Sequence, residues 1–277
     1  MVAVWAALVA LGTAVLPGPM PPGPVPAPVE QLRVQVLASY PHDRAAYTQG
    51  LEIHDGMLYE STGLYGQSDL RVVTPRTGTV RQRLALPDTV FAEGMTIVGG
   101  RIWQLTYREE FAFLRDRATL AEVRRVGYAG EGWGLCHDPV RRRLVMSNGR
   151  PELVLRDPTT FQVRSAVPVT LDGQPLPYIN ELECVDGQVW ANVWLTDRIV
   201  RIDPDTGIVN AVVDAAGLLP ESEQGNVDVL NGIAAVPCTD TFLITGKLWP
   251  QTFLVRFVST VGDNIDAPAR AGASGPG

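Results

Sequence analysis

The sequence predicts an all-β chain built from repeats, on three observations. One hairpin pattern recurs five times, a second hairpin pattern fills the gaps between its copies, and no amphipathic helix of the usual length appears. The first pattern is carried by "QGLEIHDGMLYESTG" from Gln49, "EGMTIVGGRIWQLTY" from Glu93, "WGLCHDPVRRRLVMSNG" from Trp133, "NELECVDGQVWANVW" from Asn180 and "NGIAAVPCTDTFLITGK" from Asn231. Each copy opens on a polar or aromatic lead residue, then Gly (Glu181 in the fourth copy), then an apolar residue. A turn rich in Asp, Gly or Pro follows, and then a strand ending in Ser, Thr or Asn. The leads are separated by 44, 40, 47 and 51 residues.

The intervening units are "RVVTPRTGTVRQRLAL", "AFLRDRATLAEVRRV", "LVLRDPTTFQVRSAVPV" and "IVRIDPDTGIVNAVVD", each a strand, a turn and a strand. Two hairpins give four strands per ~45 residues, which is the period of a β-propeller blade. Five such units imply a five-bladed β-propeller, placed at residues 32–262. The opening "LRVQVLASYPHD" is expected to supply an outer strand, and the closing "TFLVRFV" to help complete the ring. The segment "AAGLLPESEQGNVDVLNG" reads as a long loop. A β-sandwich also repeats short strands, but it requires neither a four-strand period nor a phased glycine.

Composition agrees. With 277 residues, 45 % of them apolar, the chain can bury a large core. Frequent Gly and Pro suit short strands and tight turns. A net charge of −7 argues against nucleic acid or an anionic membrane surface as partner, and the run Arg141 to Arg143 reads as a solvated turn. The first sixteen residues, "MVAVWAALVALGTAVL", are uncharged and apolar but shorter than the ~18–20 that usually span a bilayer. They read as a secretory segment followed by a Pro/Gly-rich linker over residues 17–31, which places the protein in the periplasm or outside the cell. A basic n-region and a clean cleavage site are missing, so the segment is either removed or kept as a membrane anchor. Residues 263–277 read as a disordered tail, and a monomer is expected.

Cys136, Cys184 and Cys238 form neither a disulfide framework nor a zinc knuckle. Their offsets in neighbouring repeats put Cys136 and Cys184 on opposite sheet faces, so free buried thiols are expected. His42, His54 and His137 lie too far apart in sequence to suggest a histidine metal site.

In a propeller, the innermost strand of each blade starts on one face, and the next strand ends there. The leads Gln49, Glu93, Trp133, Asn180 and Asn231 should therefore form one ring. Gly63, Tyr107, Gly149, Trp194 and Lys247 should join them from the second strands. Taken singly, the tryptophans could fill a core, the asparagines could cap turns, and Glu93 with Lys247 could be a structural ion pair. Together they make aromatic walls around a few polar groups, which is the make-up of a pocket. Because the lead changes from copy to copy, the ligand is asymmetric. Glu93 among aromatics should be desolvated and suited to carrying a proton. Glu109, Glu110 and Glu131 fall outside both rings, and no Ser-His-Asp set, Walker loop or dinucleotide fingerprint is present.

The motifs "YTQGL", "EGM…WQLTY", "GWGL", "NELE…WANVW…RIDPDTG" and "NGIA…LITGKLWP" resemble those of the glutamine cyclotransferase family, over residues 47–257. The resemblance implies a five-bladed propeller that converts an N-terminal glutamine of peptides or proteins to pyroglutamate, releasing ammonia without a metal or other cofactor. It implies Glu93 as the catalytic acid, with Gln49, Trp133, Asn180, Trp194 and Lys247 in the pocket; Lys247 is further expected to assist catalysis by stabilising the oxyanion. Tyr107 and Asn231 join the substrate-binding set from the ring. Two departures, Tyr47 for the family's usual Phe and Tyr107 for its common Trp, imply an altered substrate preference. Two alternatives stay open: a non-catalytic propeller that binds a peptide terminus or small ligand, and a calcium-dependent lactone hydrolase.

Overall fold

The computed structural model describes residues 28–260. The expected leader, most of the linker and the tail lie outside the described residues. Strand β1 spans Glu30–Pro41, beginning two residues before the expected boundary. The first blade is β2 (Thr48–His54), β3 (Met57–Thr62), β4 (Asp69–Thr74) and β5 (Thr79–Ala85). The second is β6 (Ala92–Val98), β7 (Arg101–Thr106), β8 (Phe111–Asp116) and β9 (Glu122–Gly127). The third is β10 (Leu135–Asp138), β11 (Arg143–Met146), β12 (Glu152–Arg156) and β13 (Val163–Pro168). A small hairpin, β14 (Thr170–Leu171) and β15 (Gln174–Pro175), leads to the fourth. That blade is β16 (Ile179–Val185), β17 (Gln188–Val193), β18 (Arg198–Ile202) and β19 (Val209–Asp214). Last come β20 (Leu230–Ala235), β21 (Thr241–Gly246) and β22 (Gln251–Ser259).

Within each blade the strands pair in sequence order. The fifth blade takes its fourth strand from the other end of the chain. β1 pairs antiparallel with β22, from Leu32 opposite Ser259 to Pro41 opposite Gln251, as the sequence had suggested. Its first residues also run parallel to β19, so the fourth and fifth blades merge into one eight-stranded sheet. The inner strands close a ring: β2 packs on β6, β6 on β10, β10 on β16, β16 on β20, and β20 on β2. Residues 215–229 form the expected loop, apart from one 3-10 turn at Glu221–Glu223.

Burial runs outward from the axis. All of β6 except Val98 is buried, because neighbouring blades cover both its faces, whereas β9 is exposed at every residue but Val126. The phased glycine answers the crowding near the axis. A Cβ on Gly94 would lie 2.6 Å from the Trp133 carbonyl oxygen, which its N–H meets at 2.7 Å.

Four of the five leads sit in β-bulges. Pairing slips between Thr48 and Gly50, Ala92 and Met95, Ile179 and Leu182, and Leu230 and Ile233. A bulge breaks the alternation of a strand and re-aims the residue it contains. The cysteine expectation is corrected: Cys136 and Cys184 form a disulfide, with Cα atoms 5.4 Å apart. Neighbouring blades meet by opposite faces, so side chains on opposite sheet faces are the ones that can join. Cys136 packs with Leu182 and Cys184 toward the fourth blade, whereas Leu135 beside it packs toward the second. The bond staples the inner strands of neighbouring blades, and closing a loop of 48 residues is worth about 2–4 kcal/mol. Cys238 is free and exposed.

Candidate active site

Three of the bulged leads, Gln49, Glu93 and Asn180, open onto a cavity of about 230 Å³ at the ends of the inner strands. Gln49, Glu93, Tyr107, Trp133, Asn180, Trp194 and Lys247 line it, together with Tyr47 and Phe91. Seven of the eight expected residues are thus brought together. Asn231 is the eighth, and it stands behind the wall. Its carboxamide N–H donates to the Thr48 carbonyl at 2.9 Å and to Gln49 Oε1 at 3.2 Å. It orients Gln49 rather than lining the cavity.

Gln49 in turn donates to Glu93 Oε1 at 3.2 Å, the one side-chain hydrogen bond the Glu93 carboxylate receives among the described residues. Glu93 is only 4 % exposed. Burial pushes its carboxyl well above the usual range; Lys247 pulls it back, and Glu131 and Glu109 push it further up. Those two acids fall outside the predicted rings yet act on the site through space. The Glu93 backbone is fixed from behind: Ser61 Oγ donates to its carbonyl at 2.6 Å, Gln104 to Ser61, and Arg115 to Gln104.

The walls are aromatic. Trp133 and Trp194 meet edge to face, 5.5 Å between centroids, and Tyr178 backs Trp194. The Trp133 indole N–H donates to Glu131, which also holds Arg108. Two second-strand ends carry glycine because rings fill their space. A Cβ at Gly63 would fall 2.4 Å from Phe91, and one at Gly149 would fall 2.7 Å from Trp133. Phe91 also touches Tyr47, Tyr65 and Tyr107, at 6.2, 5.4 and 5.5 Å.

Sequence reading missed Phe91 as a site residue and noted Tyr47 only as a departure. Both stand two residues before a lead, as do Glu131 and Tyr178. Extending the repeat comparison by two positions would have exposed this ring. Trp103, on the same hairpin as Glu93, points away and donates to the Pro158 carbonyl in the core between blades.

Lys247 is also 4 % exposed. Burial lowers its pKa, while Glu93 and Asp228 act to raise it. Three more carboxyls, half-buried Glu52 and buried Glu181 and Glu183, lie further along the inner strands, and loss of water pushes Glu52 up to about 7. Their partners are mainly backbone N–H groups, those of Ile97, Leu51, Ile233 and Ala235. No group of three or more metal-ligating side chains is arranged to hold an ion among the described residues.

Fold and site together define a β-propeller with one desolvated acid in a small aromatic pocket at the ends of the inner strands. The chain belongs to the glutamine cyclotransferase family, whose model, described as Glutamine cyclotransferase, matches residues 7–257. It is similar to the glutaminyl-peptide cyclotransferase of Arabidopsis thaliana, 38% identical over 230 residues that cover 80% of this chain and 71% of that protein. It is also similar to the crystal structure of Myxococcus xanthus glutaminyl cyclase, with TM-score 0.76 and 37% identity over 84% of this chain and 99% of that one.

Proposed function

We propose that the chain converts the N-terminal glutamine of peptides and proteins to pyroglutamate, with Glu93 carrying the proton. The observation that supports this most is the Glu93 carboxyl itself, desolvated and open to a cavity that suits one side chain rather than a peptide. The glutaminyl side chain enters between Trp133, Trp194 and Tyr107, folded so that its α-amine faces its own γ-carbonyl carbon. A new N–C bond closes the five-membered ring, and the carbonyl electron pair moves onto oxygen. Glu93 takes the proton released by the attacking nitrogen and returns it to the amide nitrogen. That C–N bond then breaks, ammonia leaves, and the carbonyl re-forms.

The reaction is intramolecular, so holding the near-attack fold supplies several kcal/mol of the rate gain. A free α-amine has a pKa of about 7.7–8.0, so a modest base suffices near neutrality. Lys247 and Asn180 stand where they can donate to the oxyanion. The disulfide supports export to an oxidising compartment, and recovery of the native protein from the cytoplasm would remove that part of the proposal.

The test is mass spectrometry of a short peptide beginning with Gln, incubated alone, with enzyme and with Glu93→Gln. Enzyme-dependent loss of one ammonia, absent from the variant, is expected. Peptide binding without ammonia release would make the pocket a recognition site and overturn the proposal.

A further inference from the structure

Lys247 is the only lysine in the chain; the other 22 cationic side chains are arginines. Arginine keeps its proton and presents a wide fork, whereas lysine is a compact charge that titrates when buried. A buried ammonium needs fixed partners. The titratable groups that act on Lys247 are Glu93 from β6, Asp228 ahead of β20 and Tyr47 ahead of β2. Three of these residues close a loop of contacts. Lys247 Nζ lies 4.8 Å from the centroid of the Tyr47 ring, within cation–π range. The Tyr47 hydroxyl donates to Asp228 Oδ2 at 2.9 Å. The Asp228 N–H donates to the Lys247 carbonyl, and the Lys247 N–H to the Val229 carbonyl, both at 2.9 Å. The other Asp228 oxygen accepts from Val229 N at 2.7 Å. Phenylalanine at position 47 would keep the ring and lose the tie to Asp228.

We propose that Tyr47 and Asp228 are positioning residues for Lys247: the ring caps the ammonium, and the hydroxyl clamps the Asp228 carboxylate beside it. The ammonium thereby keeps its place and its charge toward the γ-carboxamide oxygen of the substrate. The inference rests on the oxyanion role of Lys247 proposed above. Asp228 is exposed, so without the tyrosine hydroxyl it can turn to solvent. Burial then prevails, and Lys247 gives up its proton at lower pH.

A single lysine makes the test direct. Protein grown on lysine labelled with carbon-13 at Cε gives one side-chain resonance, whose titration is followed in wild type, Tyr47→Phe, Asp228→Asn and the double variant. The midpoint should fall by about 0.5–1 pH unit in each single variant, the scale of a nearby opposite charge partly screened by water. The double variant should fall no further than Asp228→Asn alone. In parallel, kcat at pH 9 should drop about 3–10-fold, recover as pH is lowered toward 7.5, and leave KM within about twofold, since the interaction acts in the transition state. A loss of kcat that is the same at every pH, or a Lys247 midpoint that does not move, would overturn the positioning role. The resonance is read without turnover, so the two proposals fail separately. A wild type that releases no ammonia sinks the functional reading, and an active enzyme with an unmoved midpoint sinks this one.

Discussion

Glu93 and Glu181 occupy adjacent positions of the same repeat, each inside a bulge at the start of an inner strand. Both are buried, and burial raises both carboxyls well above the ordinary range. They differ in what their oxygens meet. Glu181 Oε1 accepts from the Leu51 N–H at 3.2 Å and Oε2 from the Ile233 N–H at 2.8 Å, which ties blade four to blades one and five. Glu93 receives one amide hydrogen bond from Gln49 and otherwise faces a cavity. Desolvation alone therefore does not make a catalytic acid. An oxygen left free for the substrate's proton does, and the proposed chemistry requires that distinction.

Breaking the comparison at Glu93 should have the largest effect. Glu93→Gln keeps the shape and removes the proposed proton carrier, so kcat/KM for a Gln-peptide should fall by about 10³-fold or more. The same variant should melt higher at pH 8. A carboxyl whose folded pKa is raised stabilises the fold below its unfolded value and loses that contribution as pH rises through the folded one. Glutamine carries no such dependence. A lower melting temperature, or retained turnover, would count against the assignment.

Glu181→Ala should reverse the pattern. It strands two backbone N–H groups and leaves a void, so urea unfolding should show a loss of about 3 kcal/mol, with kcat of the folded fraction within about threefold of wild type. Removing the staple on the same strand, with Cys136→Ala and Cys184→Ala, should lower stability by about 2–4 kcal/mol without moving the pH profile.

Smaller still is the response to pH. Glu52, Glu181, Glu183 and His42 all have folded pKa values raised above the ordinary ones. By the sign rule for raised groups, each adds stability as pH falls from 8.5 to 6. Calorimetry should therefore find a melting temperature several degrees higher at pH 6. The smallest change is expected for Glu131→Gln. With one repelling carboxylate gone, the acidic limb of kcat/KM should shift down by about 0.3 pH unit, since Glu131 is partly in water. No shift would mean that Glu131 acts only through its contacts with Trp133 and Arg108.

The repeats made most of this legible beforehand. A lead followed by glycine marks the start of an inner strand, so the period alone placed Glu93, Trp133 and Asn180 on one face. It did not show the bulges, because an extra residue leaves no compositional trace. The offsets put Cys136 and Cys184 on opposite sheet faces, and blade packing, which joins opposite faces of neighbours, turned that into a bond. Asn231 was expected in the cavity when its donor is already engaged with Gln49. Through-space effects, such as those of Glu109 and Glu131 on Glu93, depend on loops whose path no repeat dictates.

The borrowed outer strand of the fifth blade also sets an order of events in the making of the molecule. β1 is the first of the described strands to leave the ribosome, yet its antiparallel partner is the last, with Leu32 opposite Ser259. Blades one to four hold all their strands in consecutive sequence and can assemble as they emerge. The fifth cannot, and Lys247, which it supplies to the pocket, stays unplaced until then. The newborn chain therefore carries an open ring with an unpaired edge until β22 is made, and it acquires its chemistry only in the step that seals it.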